Sequence, residues 1–285
     1  MICTNVTQSG AIYGYWQIAP DTWCITNRWK NFMYLIEGEE KAVLIDTGDG
    51  EGNIREVTEK ITKKPVMAVN THGHFDHTGG NPCWPEVWMT KEAALHAKEP
   101  FDDLHRQWYN NKRYPDYQIR YFEEGETIEL GGRSLEVISI PAHSEGSVAF
   151  LDDRMRYLFC GDELEGGQVI WFVRNEPAAL KEQALMHKKN MEKLMSRLDE
   201  FDWIWPAHNG APLFPLPYLQ DFIELDLKIM EGTQDVQKNT AGFGFPEDHH
   251  AVPNLFYSYG KLKRASNGLA NVVYSEAESV YLTGK

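Results

Sequence analysis

The chain of 285 residues carries little positive charge. Its 28 lysines and arginines are outnumbered by 42 aspartates and glutamates, so its formal net charge is −14. A protein that binds nucleic acid nonspecifically needs a basic face for the phosphate backbone. The charge balance therefore predicts a protein with no nucleic-acid partner.

Long hydrophobic runs are also missing. No stretch approaches the roughly 18 consecutive apolar residues of a membrane-spanning helix. The first residues contain no basic segment followed by an apolar one, as a secretion signal would. We therefore expect a cytoplasmic protein with no membrane partner.

Paired cysteines are absent as well. The four cysteines, Cys3, Cys24, Cys83 and Cys160, are scattered and include no Cys-x-x-Cys pair. Closely spaced cysteines are typical of disulfide-rich proteins and of cysteine zinc sites. The spacing predicts reduced thiols and neither kind of framework.

Hydrophobic residues make up 42% of the chain, which is enough for one large domain or for one domain with an appendage. Apolar residues follow strand or helix spacing in segments that alternate twice along the chain. Strands are predicted at 31–47 (a hairpin), 65–70, 126–130, 133–140, 146–152, 155–160 and 202–205. Helices are predicted at 53–62, 90–98, 177–198 and 216–231.

Two segments have neither periodicity. Residues 97–120 are polar, aromatic and irregular, which predicts a surface insertion that overhangs the functional site. Residues 240–260 are rich in glycine, proline and aromatic residues, which favours a lid or a contact of a homo-oligomer.

The strongest feature is a cluster of metal-ligand side chains in the sequence THGHFDHTGG, residues 71–80. His72, His74, Asp76 and His77 lie within six residues, although the whole chain has only ten histidines. Burying several imidazoles and a carboxylate together costs free energy unless a cation meets them. The cluster therefore predicts a site for one or two metal ions.

The spacing of the cluster favours two neighbouring sites. Residues two apart in an extended segment point the same way, so His72 and His74 can reach one ion while Gly73 lets the backbone lie close. Asp76 and His77 follow after the chain begins to turn, so we expect them to face an adjacent position.

Three further candidates each follow a predicted strand. They are His143 in Pro141-Ala142-His143, Asp162 in Cys160-Gly161-Asp162, and His208 in Pro206-Ala207-His208. Loops at strand ends are where α/β scaffolds collect their functional residues. We therefore expect these side chains to join the histidine cluster.

The pattern HxHxDH, followed by a histidine, a Gly-Asp pair and a last histidine, resembles the metallo-β-lactamase superfamily of metallo-hydrolases over about residues 31–210. Leu44-Ile45-Asp46-Thr47-Gly48 is similar to the superfamily's first strand-end motif. The resemblance implies an α/β (α+β) fold, a four-layer αβ/βα sandwich of two mixed β-sheets flanked by helices. It implies a hydrolase domain over 1–231, with residues 232–285 as a C-terminal extension packed on it.

The resemblance also implies a ligand set for two divalent ions, Zn²⁺ in the first place and iron or manganese as alternatives. One ion is assigned to His72, His74 and His143, and the other to Asp76, His77 and His208. Asp162 is assigned as the bridge between them. Asp46 is expected outside the ligand set, where it orients a ligand through a hydrogen bond.

This chemistry predicts hydrolysis of an ester-like bond in a small molecule, such as a thioester or a lactone. Two ions roughly 3.5–4 Å apart can hold a shared hydroxide near neutral pH. Asp76 is the candidate catalytic residue, because it can orient that hydroxide or pass a proton to the leaving group.

Two departures from the family's sequence motifs narrow the range of expected substrates. Asp162 stands where true zinc β-lactamases resemble one another in having a cysteine, which argues against antibiotic hydrolysis. Hydroxyacylglutathione thioesterases carry a Cys-Gly-Lys-Phe-Tyr-like stretch after the bridging aspartate. Here residues 163–168 read ELEGGQ, so the sequence does not support that specificity.

Two alternatives stay open on the same scaffold. One is a mononuclear-iron sulfur dioxygenase, in which only His72, His143 and Asp162 would bind metal. The other is a metal-binding protein without catalysis. The remaining histidines, His96, His105, His187, His249 and His250, are expected to be solvated.

Overall fold

A computed structural model of the protein describes residues 12–98, 116–173, 176–238 and 262–275, which form three β-sheets and the helices around them. The first sheet has seven strands in the order β1 to β7. They are β1 Tyr13–Ala19, β2 Thr22–Asn27, β3 Phe32–Glu37, β4 Ala42–Ile45, β5 Val66–Val69, β6 Glu86–Met89 and β7 Gln118–Tyr121. Strands β1 to β4 pair antiparallel and β4 to β7 pair parallel.

The second sheet has five strands in the order β13-β11-β10-β9-β8. Its strands are β8 Thr127–Glu129, β9 Ser134–Ser139, β10 Val148–Asp152, β11 Tyr157–Gly161 and β13 Trp203–Pro206. The third sheet has the order β12-β16-β15-β14, made of β12 Val169–Trp171, β14 Val236–Lys238, β15 Leu262–Asn267 and β16 Ala270–Ser275.

The helices of the described residues are α1 Ile54–Ile61, α2 Phe75–Thr78, α3 Pro177–Met195 and α4 Pro215–Glu231. The side chain of Asn53 caps α1, because its oxygen accepts a hydrogen bond from the backbone N–H of Arg55 at 3.1 Å. Helix α4 ends at Gly232, whose φ of 72° is the left-handed conformation that glycine adopts most readily. None of the helices in the described ranges is long and apolar enough to cross a membrane.

Alternate residues of a strand face opposite sides of its sheet and so pack in different layers. In β3, Met33 and Leu35 face α1, whereas Tyr34 and Ile36 pack against the second sheet, where Tyr34 meets the ring of Phe159 at 4.8 Å. In the same way, alternate residues of β10 face the first sheet or helices α3 and α4. The order from outside to outside is α1, first sheet, second sheet, then α3 and α4.

A buried arginine ties the two large sheets together at one edge. Arg133 precedes β9 and donates to the Asp152 carboxylate on β10, with both side chains 0% exposed. Its guanidinium also donates to the Asp21 and Glu37 carbonyl oxygens, at 2.9 and 3.2 Å, and to the Thr22 hydroxyl at 2.8 Å. The guanidinium therefore satisfies acceptors from both sheets.

The fold prediction is confirmed in class, and the hairpin, every other predicted strand and three of the four predicted helices are confirmed within a few residues. The helix predicted at 90–98 is wrong, since only a 3-10 turn forms at Ala93–Leu95. The Thr90 hydroxyl does cap that turn, accepting from the Ala93 N–H at 3.1 Å. A segment this short gains little from helix propagation, so its packing decides its shape.

Other features were not predicted. Strands β1, β2, β6, β7 and the whole third sheet lie outside the predicted strands. The third sheet pairs β12 with β16 in parallel, so residues on both sides of the predicted division at 231 share one sheet. The division itself stays a prediction. The predicted lid at 240–260 and most of the predicted insertion at 97–120 lie outside the described residues.

Candidate metal centre

Strand ends deliver the seven predicted ligands to one place between the two large sheets. His72 and His74 follow β5, and Asp76 and His77 lie in the short helix α2. The other three follow strands of the second sheet: His143 comes after β9, Asp162 directly after β11 and His208 after β13.

The first group of three histidines converges on one point. His74 Nδ1 lies 3.0 Å from His72 Nε2 and 2.9 Å from His143 Nε2. Imidazole nitrogens are common metal ligands, and three of them facing each other at this spacing suit one cation.

The second group lies beside the first. Asp76 Oδ2 is 3.2 Å from His208 Nε2 and 3.5 Å from His77 Nε2, and the two histidine nitrogens are 3.3 Å apart. The side chains of Asp76 and His208 are 24% and 20% exposed, whereas His72 and His77 are buried. His74 of the first group is half-buried as well, so both groups reach solvent.

Asp162 stands between the two groups. Its Oδ2 lies 3.5 Å from both His143 Nε2 and His208 Nε2, and its Oδ1 lies 3.3 Å from His77 Nε2. Among the described residues Oδ1 has no hydrogen-bond partner of normal geometry, although it is buried. A buried carboxylate oxygen without such a partner costs free energy, which a cation would offset. The donor set thus fits a metal centre.

The two groups differ in their electrostatics. Burial lowers the pKa of His72 and of His143, and lowers the pKa of His74 to about 3, so these rings are held neutral, the form that binds metal. Burial would also lower the pKa of His208, but Asp162 and Asp76 outweigh it and raise that pKa to about 9. The second group therefore holds a proton until a cation displaces it.

Asp46 orients the second group. It follows β4 with φ of 60° and is buried, and its Oδ2 lies 2.9 Å from His77 Nδ1. Its two oxygens also accept hydrogen bonds from the Thr71 N–H and hydroxyl, each at 2.8 Å. With Nδ1 of His77 donating to Asp46, Nε2 is the nitrogen left for a metal.

A backbone carbonyl orients the first group in the same way. His143 Nδ1 donates to the carbonyl oxygen of Ile170 in β12 at 2.8 Å, which leaves Nε2 facing the other histidines. Phe172, two residues further on, meets the rings of His74 and His143 at 5.0 and 5.4 Å. Phe172 thus forms a half-buried aromatic wall over the first group.

Two glycines allow the loops to meet. A Cβ on Gly73 would lie 2.2 Å from the Ala93 carbonyl oxygen, so the backbone between His72 and His74 packs where no side chain fits. A Cβ on Gly161, just before Asp162, would lie 2.6 Å from Thr71 Oγ1. Glycine at both positions brings ligands from different loops together.

Several contributing residues were missed by sequence reasoning. Asn31 donates from Nδ2 to the Asp76 carbonyl oxygen at 2.8 Å and lies 3.4 Å from its Oδ2. Asn70 and Thr47 both donate to the His77 carbonyl oxygen, at 2.8 and 3.0 Å. Asn70 directly precedes the cluster and Thr47 lies in the first motif, whereas nothing in the sequence marks Asn31.

The prediction for His187 is wrong. Its side chain is 0% exposed, and its Nδ1 lies 2.8 Å from Asp226 Oδ2. A histidine on a helix is buried here because a carboxylate on the neighbouring helix partners it, which spacing along the chain cannot reveal. His96 is exposed, and His105, His249 and His250 lie outside the described residues.

Comparison with known proteins gives a family and several relatives. The model of the metallo-beta-lactamase superfamily matches residues 26–229. The acyl-coenzyme A thioesterase MBLAC2 of Homo sapiens is 30% identical over 168 residues, covering 48% of this chain and 60% of that protein. A hydroxyacylglutathione hydrolase of Nostoc sp. is 27% identical over 208 residues, covering 70% of this chain and 71% of that protein. The match thus spans about three fifths of the thioesterase's length.

Solved structures share the fold. A metallo-beta-lactamase from Pontibacter korlensis aligns with a TM-score of 0.55 at 22% identity, covering 75% of this chain and 99% of that one. The sec-alkylsulfatase Pisa1 from Pseudomonas sp. aligns with a TM-score of 0.58 at 16% identity, covering 75% of this chain and 42% of that one. At these identities the likeness concerns the fold alone.

Proposed function

The chain belongs to the metallo-beta-lactamase superfamily, and from this premise we propose that it is a metal-dependent hydrolase that cleaves an ester-like bond, in the first place a thioester, in a small molecule. The observation that carries the proposal is the pair of ligand groups with Asp162 between them. His72, His74 and His143 would hold one divalent cation, and Asp76, His77 and His208 the other.

Nitrogen and oxygen donors of this kind suit Zn²⁺, with iron and manganese as alternatives. When bound, two such cations supply a nucleophile from water at neutral pH and Lewis acidity for the scissile carbonyl group. The protein has to hold them in place, admit the substrate and manage the protons.

Asp76 would manage the proton of the attacking water. Burial would raise the pKa of this carboxyl group, but in the metal-free protein His77 and His208 outweigh that effect and lower the pKa, so the group is ionised. Two contacts with Asn31 fix the position of the Asp76 side chain, which is 24% exposed. An ionised, oriented and accessible carboxylate can accept a proton from water and pass it to the leaving group.

A thioester is the substrate class that needs the least protonation of its leaving group by other residues of the protein. The thiolate that leaves is the conjugate base of a thiol with a pKa of about 8.5, so it needs little help from a protein acid near neutral pH. The relatives support the same class, since one is named for acyl-coenzyme A and the other for hydroxyacylglutathione. The sequence ELEGGQ at 163–168 argues against hydroxyacylglutathione itself.

The test is turnover by protein loaded with Zn²⁺, on a panel of acyl-coenzyme A esters, S-acylglutathiones, lactones and phosphodiesters. We expect thiol release from one or more thioesters, and a loss of about 10²- to 10⁴-fold in the Asp76→Asn variant. Loaded protein that turns over no member of the panel would contradict the hydrolase proposal.

The same preparation separates the dioxygenase alternative. That reaction would need only His72, His143 and Asp162, and would show a metal-to-protein ratio near one, with iron and with oxygen uptake on sulfur substrates. His74 lies against His72 and His143, and the second group is complete beside them, which favours the two-metal hydrolase.

A further inference from the structure

A buried carboxylate directly follows the predicted bridging residue. Glu163 is 1% exposed, and its Oε1 accepts hydrogen bonds from the backbone N–H groups of Ala142 at 2.8 Å and His143 at 2.7 Å. One side chain therefore joins the loop that carries His143 to the strand end that carries Asp162.

Two helices hold Glu163 from the other side. His187 on α3 donates from Nε2 to the Glu163 carbonyl oxygen at 3.1 Å. Its Nδ1 lies 2.8 Å from Asp226 Oδ2 on α4, and both side chains are 0% exposed. Both ring nitrogens face oxygen acceptors, so the ring donates on both sides and connects α4, through α3, to the metal centre.

Fold stability alone does not account for a carboxylate at this position. Burial raises the pKa of the Glu163 carboxyl group to about 7, and its buried Oε2 lies beside Ser147 but has no hydrogen-bond partner of normal geometry among the described residues. A buried carboxylate with one oxygen in that state destabilises the fold, and an apolar side chain at such a position often makes a core more stable. The carboxylate provides a strong acceptor for two adjacent N–H groups, and these hydrogen bonds fix the backbone conformation at His143.

The backbone conformation at His143 matters because His143 and Asp162 belong to the same centre. His143 Nε2 lies 3.5 Å from Asp162 Oδ2, and the two residues come from different loops. Metal ligands need placement to within about 0.5 Å, which packed and hydrogen-bonded neighbours supply.

We propose that Glu163 is a positioning residue of the metal centre: it fixes His143 relative to Asp162 and is itself held by the His187–Asp226 pair. The proposal rests on the metal centre of the proposed function. It adds a connection from helices α3 and α4 to the ligands, carried by side chains that touch no metal.

The experiment compares Glu163→Ala and Glu163→Gln with wild type. Asp152→Asn is the matched control, because Asp152, like Glu163, carries a buried carboxyl group, but it pairs with Arg133 and lies at the far end of β10 from the centre. Hydrogen exchange of the backbone at 142–143 is measured on metal-free protein. Zn²⁺ affinity is measured by competition with a chelator, and the Co²⁺ visible spectrum reports ligand geometry.

In Glu163→Ala we expect the two amide protons to exchange about tenfold faster, since both N–H groups lose their acceptor oxygen. We expect the Zn²⁺ dissociation constant to rise about 10- to 100-fold and the Co²⁺ spectrum to change. Glu163→Gln keeps an oxygen acceptor and should show smaller effects in the same direction, so it carries the test if the alanine variant does not fold. Asp152→Asn should lose stability without either change.

Variants that bind Zn²⁺ within about twofold of wild type, with the same Co²⁺ spectrum, would overturn the positioning role and leave the metal centre intact. Equal losses of affinity in Asp152→Asn would overturn it as well, since the effect would then be one of general stability. Wild-type protein that takes up no divalent cation would overturn the metal centre itself, and the positioning role with it.

Discussion

Replacing Asp46 with Asn tests how the centre selects the metal-binding nitrogen of His77. Asp46 has φ of 60°, a conformation that asparagine tolerates, so the substitution keeps the backbone. The amide oxygen can still accept from the Thr71 N–H. The amide nitrogen then faces His77 Nδ1, where the carboxylate oxygen had accepted a hydrogen bond at 2.9 Å.

Two donors cannot share that hydrogen bond, so His77 has to turn or move its proton to Nε2. Either change removes Nε2 as a ligand in the second group and leaves the first group unaltered. Loss of an orienting partner costs about 10- to 100-fold in metal affinity, which corresponds to about 1.4–2.8 kcal/mol. We expect the second cation to be lost first and hydrolysis to fall with it.

The assay is metal content by elemental analysis, together with calorimetric titration of metal-free protein. Wild type should bind two equivalents, and Asp46→Asn should bind one equivalent tightly and the second weakly. Asp49→Asn is the control, because Asp49 lies in the same loop and is also buried, but it accepts its hydrogen bond from the Glu51 N–H. Two equivalents bound with wild-type affinity in Asp46→Asn would refute the reasoning.

Three further predictions concern the scaffold. Asp152→Ala leaves the Arg133 guanidinium buried and unpaired, so it should cost about 3–5 kcal/mol in urea unfolding, and an unchanged midpoint would count against the ion pair. Gly73→Ala places a Cβ 2.2 Å from the Ala93 carbonyl oxygen, so it should cost about 1–3 kcal/mol and weaken Zn²⁺ binding, whereas wild-type affinity would show that the loops can shift freely. Burial raises the pKa of Asp49 from 3.8 to about 6, so its favourable contribution is complete below pH 3.8 and is lost as pH rises through 6. Asp49→Asn should therefore flatten the stability profile between those values, and a profile parallel to that of wild type would contradict the raised pKa.

The meeting of the seven candidate ligands was open to prediction because each of them is marked locally in the sequence. His72 to His77 are dense in the sequence, and His143, Asp162 and His208 each follow an apolar strand whose periodicity is readable. Strand ends bring distant parts of the chain to one edge, so seven side chains could be expected to meet.

Two of the supporting residues, Asn31 and His187, were not open to prediction, because their partners are distant and no motif marks them. Asn31 lies 45 residues from Asp76, and His187 lies 39 residues from Asp226. Hydrogen bonds between residues so far apart in the sequence leave no periodic signal. An isolated polar residue in an apolar stretch looks the same whether it is buried with a partner or solvated.

Short length explains only some of the missed strands, since β1, β2, β15 and β16 have six or seven residues. Strand β12 has three residues and β6 has four, too few for alternation to stand out. Strand β12 is held by its neighbour β16 from the C-terminal segment, and it supplies the carbonyl oxygen that orients His143. Tertiary pairing rather than local propensity places it.

The central claim is that this chain holds two cations, and the most direct test is an anomalous-scattering map of crystals grown with Zn²⁺ and without chelator. We expect two peaks, one among His72, His74 and His143 and one among Asp76, His77 and His208, with Asp162 between them. A single peak, or none at these side chains, would contradict it.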